Sequence, residues 1–192
     1  MGHEMVGGIQ TAPGKLSLIQ EFVNTKDILN QQDEFATSKL LHAWLSNHGL
    51  LGADEPVSEA NLQQALAMRE ALRNLLLANN GGTLDAEAIA TLNTTASSDH
   101  LRVRFDPNGL AQLEPAASGI DGALSQLLAI VFSAMVDGTW ARLKACRNEV
   151  CRYVFYDYSK NRTGTWCTMA ICGNRLKTRT YRQRQRAGKG RA

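Results

Sequence analysis

Four cysteines, the only ones among 192 residues, fall within a span of twenty-seven as Cys146-x4-Cys151-x15-Cys167-x4-Cys172. Two close pairs separated by enough chain for a small hairpin can gather four thiolates around one tetrahedral zinc, at about 2.3 Å per Zn–S bond. Two other uses of such a cluster exist. A pair of disulfides needs an oxidising compartment, and a redox or iron–sulfur role needs the same thiolates in a different setting. The first thirty residues carry no basic stretch followed by an apolar core and a cleavage site. The expectation is therefore a cytoplasmic protein with reduced thiols and one structural Zn2+ held by Cys146, Cys151, Cys167 and Cys172.

Charge is segregated around this cluster. Residues 1–140 hold seven Lys/Arg against sixteen Asp/Glu, a formal −9, while residues 141–192 hold fourteen against two, a formal +12; together they give the chain's +3. Four thiolates and one Zn2+ remove only two units from the basic part. An acidic body joined to a basic finger points to a polyanionic partner for the finger. The basic residues are also patterned: in a helix expected from Gly173 to Arg186, Arg175, Arg179, Arg182 and Arg186 recur at four, three and four residues and share one face, flanked by Lys177 and Arg184. With almost no carboxylate in the finger to pair with that stripe, phosphate is its natural counter-charge. Docking on the chain's own acidic part and a merely solvated tail are the other readings.

The metal cluster needs a scaffold. Cys151 to Asp157 has strand composition, Asp157 to Asn161 reads as a turn and Trp166-Cys167 as the returning strand. A knuckle, a hairpin and a second pair at a helix start form a treble-clef-like finger, with Cys172 expected in the first helical turn, where free N–H groups and the dipole favour a thiolate. Upstream the apolar period is helical. Leu16, Ile19, Phe22 and Val23 mark one helix; Leu40, Leu41, Trp44 and Leu45 mark a second, ended by Gly49. Ser58 reads as the N-cap of a long helix with Leu62, Leu66, Leu72 and Leu76 on one face, ended by Asn79-Asn80-Gly81-Gly82. Asp85 reads as the cap of a short helix with Ile89 and Leu92 inward. Leu101, Val103 and Phe105 then alternate with arginines, Asp106 to Gly109 supplies a turn, and Leu110 and Leu113 return, so one β-hairpin is expected. A last helix from about Ile120 to Val136 is apolar on most sides and reads as the core element. The fold class is mainly α with one β-hairpin over residues 1–139, followed by the treble-clef-like four-cysteine finger over 140–192.

The run Trp140-Ala-Arg-Leu-Lys-Ala-Cys146, then Cys151, Phe155-Tyr-Asp-Tyr-Ser-Lys-Asn161, Trp166-Cys-Thr-Met169 and Cys172-Gly-Asn-Arg175-Leu-Lys177 resembles the CGNR zinc-finger family. Phe22-Val-Asn-Thr25 and the order of helices are similar to the ABATE domain that accompanies this finger in bacterial proteins described as stress-induced transcription regulators. The resemblance implies a DNA-binding finger with one structural zinc. Where the family carries further arginines before its Trp-Cys pair, this chain has Asn161-Arg-Thr-Gly-Thr165, which leaves Lys160 and Arg162 as the loop's cations.

Catalytic constellations are missing from the sequence. His3, His42, His48 and His100 are scattered outside any metal-binding or nucleophile motif, Gly81-Gly82 lacks the rest of a phosphate loop, and the most apolar run, Leu127 to Val136, is short for a membrane span. The reading is a non-enzymatic regulator without membrane contact, whose finger contacts DNA through Lys160, Arg162, Arg175, Lys177, Arg179, Arg182, Arg184 and Arg186. Its α-rich part senses an unidentified small-molecule effector or forms a homodimer, with Asn24 and Thr25 as the candidate ligand contacts. The alternative is a zinc-dependent protein- or RNA-interaction module.

Overall fold

Capping residues set the helix starts in the computed structural model, which describes residues 8–97, 100–174 and 178. After α1 (Leu16–Asn24) and a two-rung ribbon of β1 (Lys26–Asp27) and β2 (Gln32–Asp33), Thr37 accepts a hydrogen bond from the Leu40 N–H at the start of α2 (Ser38–Asn47). Ser58 and Asn61 form a reciprocal capping box on α3 (Glu59–Ala78), and Asp85 accepts from the Glu87 N–H to begin α4 (Ala86–Thr95). Ala88 and Thr95 face inward on α4; Ile89, expected inward, is 40% exposed because it sits about 100° round the helix from Ala88.

β3 (Leu101–Phe105) and β4 (Ala111–Pro115) pair antiparallel with Val103 opposite Leu113, and the Asp106 carboxylate organises the turn by accepting from the N–H groups of Asn108 and Leu110. Leu101 packs against the core, whereas Val103, Phe105 and Leu110 are exposed. α5 (Gly119–Val136) buries Leu124, Leu127 and Val131 and packs against α1, α4, β4 and the short helical turn Trp140–Arg142. It is longer than the apolar run picked from the sequence, and with 18 residues and mean hydropathy 1.6 it meets the length and composition of a membrane span; more than half of it is buried inside the protein.

The finger's strands do not pair as expected. β6 (Val154–Tyr156) pairs with β5 (Leu143–Ala145), upstream of the first cysteine pair, and Trp166-Cys167 forms no strand. The reason is that side chains, described below, take up carbonyls of residues 162, 164 and 165 that a returning strand would have used. Leu143, Ala145, Val154 and Tyr156 join the core formed by Ile19, Phe22, Leu72, Leu76 and Leu127, so one apolar cluster runs from the helices into the finger's hairpin.

Two arginines on α3 point inward. Arg69, 1% exposed, meets Asp33 with two parallel bonds of 2.7 and 2.8 Å, donates to the Thr25 hydroxyl and lies over the Phe35 ring. Burial alone would raise the Asp33 carboxyl, but Arg69, the Phe35 N–H and Lys26 hold it below its ordinary range. A carboxyl held down in the folded state stabilises above its unfolded pKa of about 3.9 and loses that contribution as pH falls through the folded value. Asp33→Asn is therefore expected to cost ~2 kcal/mol or more at pH 7 and to weaken the acid limb of a stability-versus-pH curve measured by urea melts. A neutral effect at pH 7 would show that Arg69 is satisfied without Asp33.

Candidate metal centre and finger

The first cysteine pair sits where β5 turns into β6. The Cys146 N–H donates to the Tyr153 carbonyl, and the N–H groups of Cys151 and Arg152 both donate to the Asn148 carbonyl, closing a knuckle in which Arg152 is left-handed at φ +52°. In the second pair Cys167 precedes, and Cys172 lies within, a single wide helical turn, Met169–Gly173, capped by the Thr168 hydroxyl accepting from the Ile171 N–H. Cys172 closes that turn, and the Asn148 amide donates to its Sγ at 3.4 Å.

All four Sγ atoms lie within 4.8 Å of one another, and the Cys151–Cys167 and Cys167–Cys172 distances are both 3.7 Å. A tetrahedron with Zn–S bonds of about 2.3 Å has edges of about 3.8 Å, whereas a disulfide needs about 2.05 Å. All four thiols are free. Cys146 is held far below the ordinary thiol range because Cys151 and Cys167 donate to it, while hydrogen bonding to Cys146 and burial push both of those thiols far above it. Four thiolates at these distances require a cation, and the donor set and spacing suit one structural zinc.

The finger is bound into the protein by side chains that grip its backbone. The Asn24 amide pairs with Val154 twice, accepting from its N–H at 2.8 Å and donating to its carbonyl at 2.9 Å; Gln20 donates to the same carbonyl. Asn79 donates to the carbonyls of Trp140 and Leu143, Asn80 to those of Ala145 and Thr165, and Arg73 to those of Val23 and Arg152. Thr25, the other residue singled out for a ligand, donates to the Phe22 carbonyl and accepts from Arg69. Asn24 also lines an open cleft of about 330 Å³ with Gln20, Glu21 and Tyr153.

A buried ion pair shapes the loop between the cysteine pairs. Lys144 Nζ is 2.8 Å from Asp157 Oδ2, both side chains nearly inaccessible, and it also donates to the carbonyls of Arg162 and Gly164. Asp157 further accepts from the N–H groups of Ser159 and Gly164, and Arg142 donates to the carbonyls of Asp157 and Ser159. Burial opposes ionisation of Asp157, but Lys144, Ser159 and Gly164 together bring it down to about 2. Gly164 is required here, since a Cβ would lie 2.7–2.8 Å from the Asp157 carboxylate. The sequence marked Asn79-Asn80 as a helix end and Asp157 as the start of a turn, but assigned none of Lys144, Asp157, Asn79, Asn80 and Arg73 these roles, because the partners lie 13 to 85 residues away.

Of the residues expected to contact nucleic acid, Lys160 and Arg162 are exposed on this loop, while Arg175, Lys177, Arg179, Arg182, Arg184 and Arg186 lie outside the described residues. A family model described as the CGNR zinc finger matches residues 142–185. A second, described as ABATE, putative stress-induced transcription regulator, matches residues 16–138. No curated protein matches the chain.

Proposed function

The chain belongs to the ABATE family and carries a C-terminal CGNR zinc finger, and from that premise we propose that this zinc-binding regulatory protein acts by binding DNA through the finger. The observation that carries the reading is the charge of the finger once its fold is known. Between residues 140 and 192 the carboxylate side chains are Glu149, which is exposed, and Asp157, which is consumed by Lys144 inside the protein, against fourteen Lys/Arg. The surface chemistry of the finger is therefore cationic, directly beside a metal centre that fixes the start of the segment bearing Arg175, Arg179, Arg182 and Arg186. Arg175 and Arg179, nearest the zinc, are proposed to read bases; Lys177, Arg182, Arg184 and Arg186 are proposed to contact the backbone.

In this proposal residues 1–139 are the regulatory part, sensing a small-molecule effector through the region of Asn24 and Thr25 or forming a homodimer, and 140–192 are the DNA-binding part in the cytoplasm. No catalytic role is assigned to either. Because fold alone does not fix the partner of a small zinc finger, the test is selection of fragments from genomic DNA by the zinc-loaded full chain. An enriched sequence is expected. Uniform weak binding would instead favour a module directed to RNA or protein.

A further inference from the structure

The loop between the cysteine pairs is held far more tightly than a connecting segment needs. Three carbonyls of a seven-residue stretch, those of Ser159, Arg162 and Gly164, are taken by the side chains of half-buried Arg142 and buried Lys144. Two of its N–H groups, those of Ser159 and Gly164, go to the buried Asp157 carboxylate, and the Thr163 N–H goes to the Ser159 hydroxyl. At its tip Arg162 is left-handed at φ +53°. A side chain with a Cβ is disfavoured there where glycine is not, so an arginine at that position runs against backbone preference. Yet Lys160 to Thr163 bury nothing: all four are exposed.

We propose that residues 158–164 form a preorganised phosphate-binding prong, which presents Lys160 and Arg162 to a nucleic-acid backbone separately from the basic C-terminal segment, with Arg142, Lys144 and Asp157 as its positioning residues. The charge fits this partner: the loop carries two cations, and the one carboxylate beneath it is neutralised by Lys144 and turned inward. Rigidity fits as well, because a backbone already held in place loses little further freedom when the cations it carries meet a phosphate. The proposal rests on the DNA-binding reading above and adds a second, independent contact surface to it.

The experiment is a salt titration of binding to a fluorescent 20-base-pair duplex, using zinc-loaded full-length protein and the variants Arg162→Gly, Arg162→Lys, Arg142→Ala, Lys144→Met and Arg175→Ala. Each phosphate contact contributes about 0.9 to the slope of log K against log salt. Arg162→Gly is expected to lower the slope by about that amount while melting at the same or a higher temperature, since glycine relieves the left-handed backbone. Arg162→Lys should keep the slope. Arg142→Ala and Lys144→Met should lower it although Lys160 and Arg162 remain, and Arg142→Ala serves if Lys144→Met fails to fold. A wild-type slope in Arg162→Gly, with a loss confined to Arg175→Ala, overturns the prong and leaves DNA binding intact. Absence of duplex binding by the wild type overturns both.

Discussion

Cys172→Ser is expected to abolish stoichiometric zinc binding and to unravel the knuckle and the wide helical turn, while the helices, the β5–β6 hairpin and the loop held by Arg142, Lys144 and Asp157 stay folded. Structural zinc in small modules supplies roughly 10 kcal/mol or more of folding free energy. Little else is available to replace it: Cys146, Cys151 and Cys172 are the buried members of a small cluster completed by Tyr153, Trp166, Cys167 and Ile171. β5 and β6, by contrast, belong to the main core through Leu143, Ala145, Val154 and Tyr156 and are gripped by Asn24, Asn79 and Asn80. Metal analysis should therefore find well under half an equivalent of zinc, limited proteolysis should open the chain in the segment from Trp166 to Asn174, and far-ultraviolet circular dichroism should retain most of its helical signal. Stoichiometric zinc in the variant, or global loss of helix, would contradict this division of stabilising energy.

Lys144→Met carries the second largest expected effect. Removing one partner of a buried ion pair leaves the other charge without compensation, at a cost of about 3–5 kcal/mol. The sign of its pH dependence distinguishes this cause from lost packing. In the wild type Asp157, brought down to about 2, stays ionised from pH 7.5 to 5.5. Without Lys144, one of the groups that hold the Asp157 carboxyl down is gone while burial still pushes it up, so its pKa rises from the wild-type value, protonation relieves the uncompensated charge and the deficit shrinks as pH falls. Urea melts of both proteins across that range should show the gap narrowing. A loss below about 1 kcal/mol, with no pH dependence, would mean that water already solvates Asp157.

How far the sequence carried these conclusions depended on the range of the interactions. The four zinc ligands were legible because their spacing is a local pattern, and α1, α3 and α5 because their apolar period repeats over several turns. Ser58 and Asp85 were legible as caps for the same reason. The partner of β6 was not, because β5 and the Trp166 segment flank it at similar distance and the choice was made by Lys144, Asp157 and Asn80 capturing loop backbone. Asn79 and Asn80 illustrate the limit. As residues ending a helix before two glycines they fit a C-terminal cap, and Asn79 does occupy that position, yet their amides also hold Trp140, Leu143, Ala145 and Thr165, up to 85 residues away. Arg69 and Arg73 counted only as charge in the sequence, since nothing local shows that an arginine on a helix turns inward toward a carboxylate or the carbonyls of another element.

The central claim, that the zinc centre organises a cationic surface for a polyanion, is tested most directly by the salt dependence of duplex binding by the full chain before and after chelation of zinc. Zinc-loaded protein should give a log–log slope of several units, each contacted phosphate contributing about 0.9, and chelation should weaken binding by at least tenfold at fixed salt. Binding that is independent of salt, or equally tight without zinc, would contradict the claim.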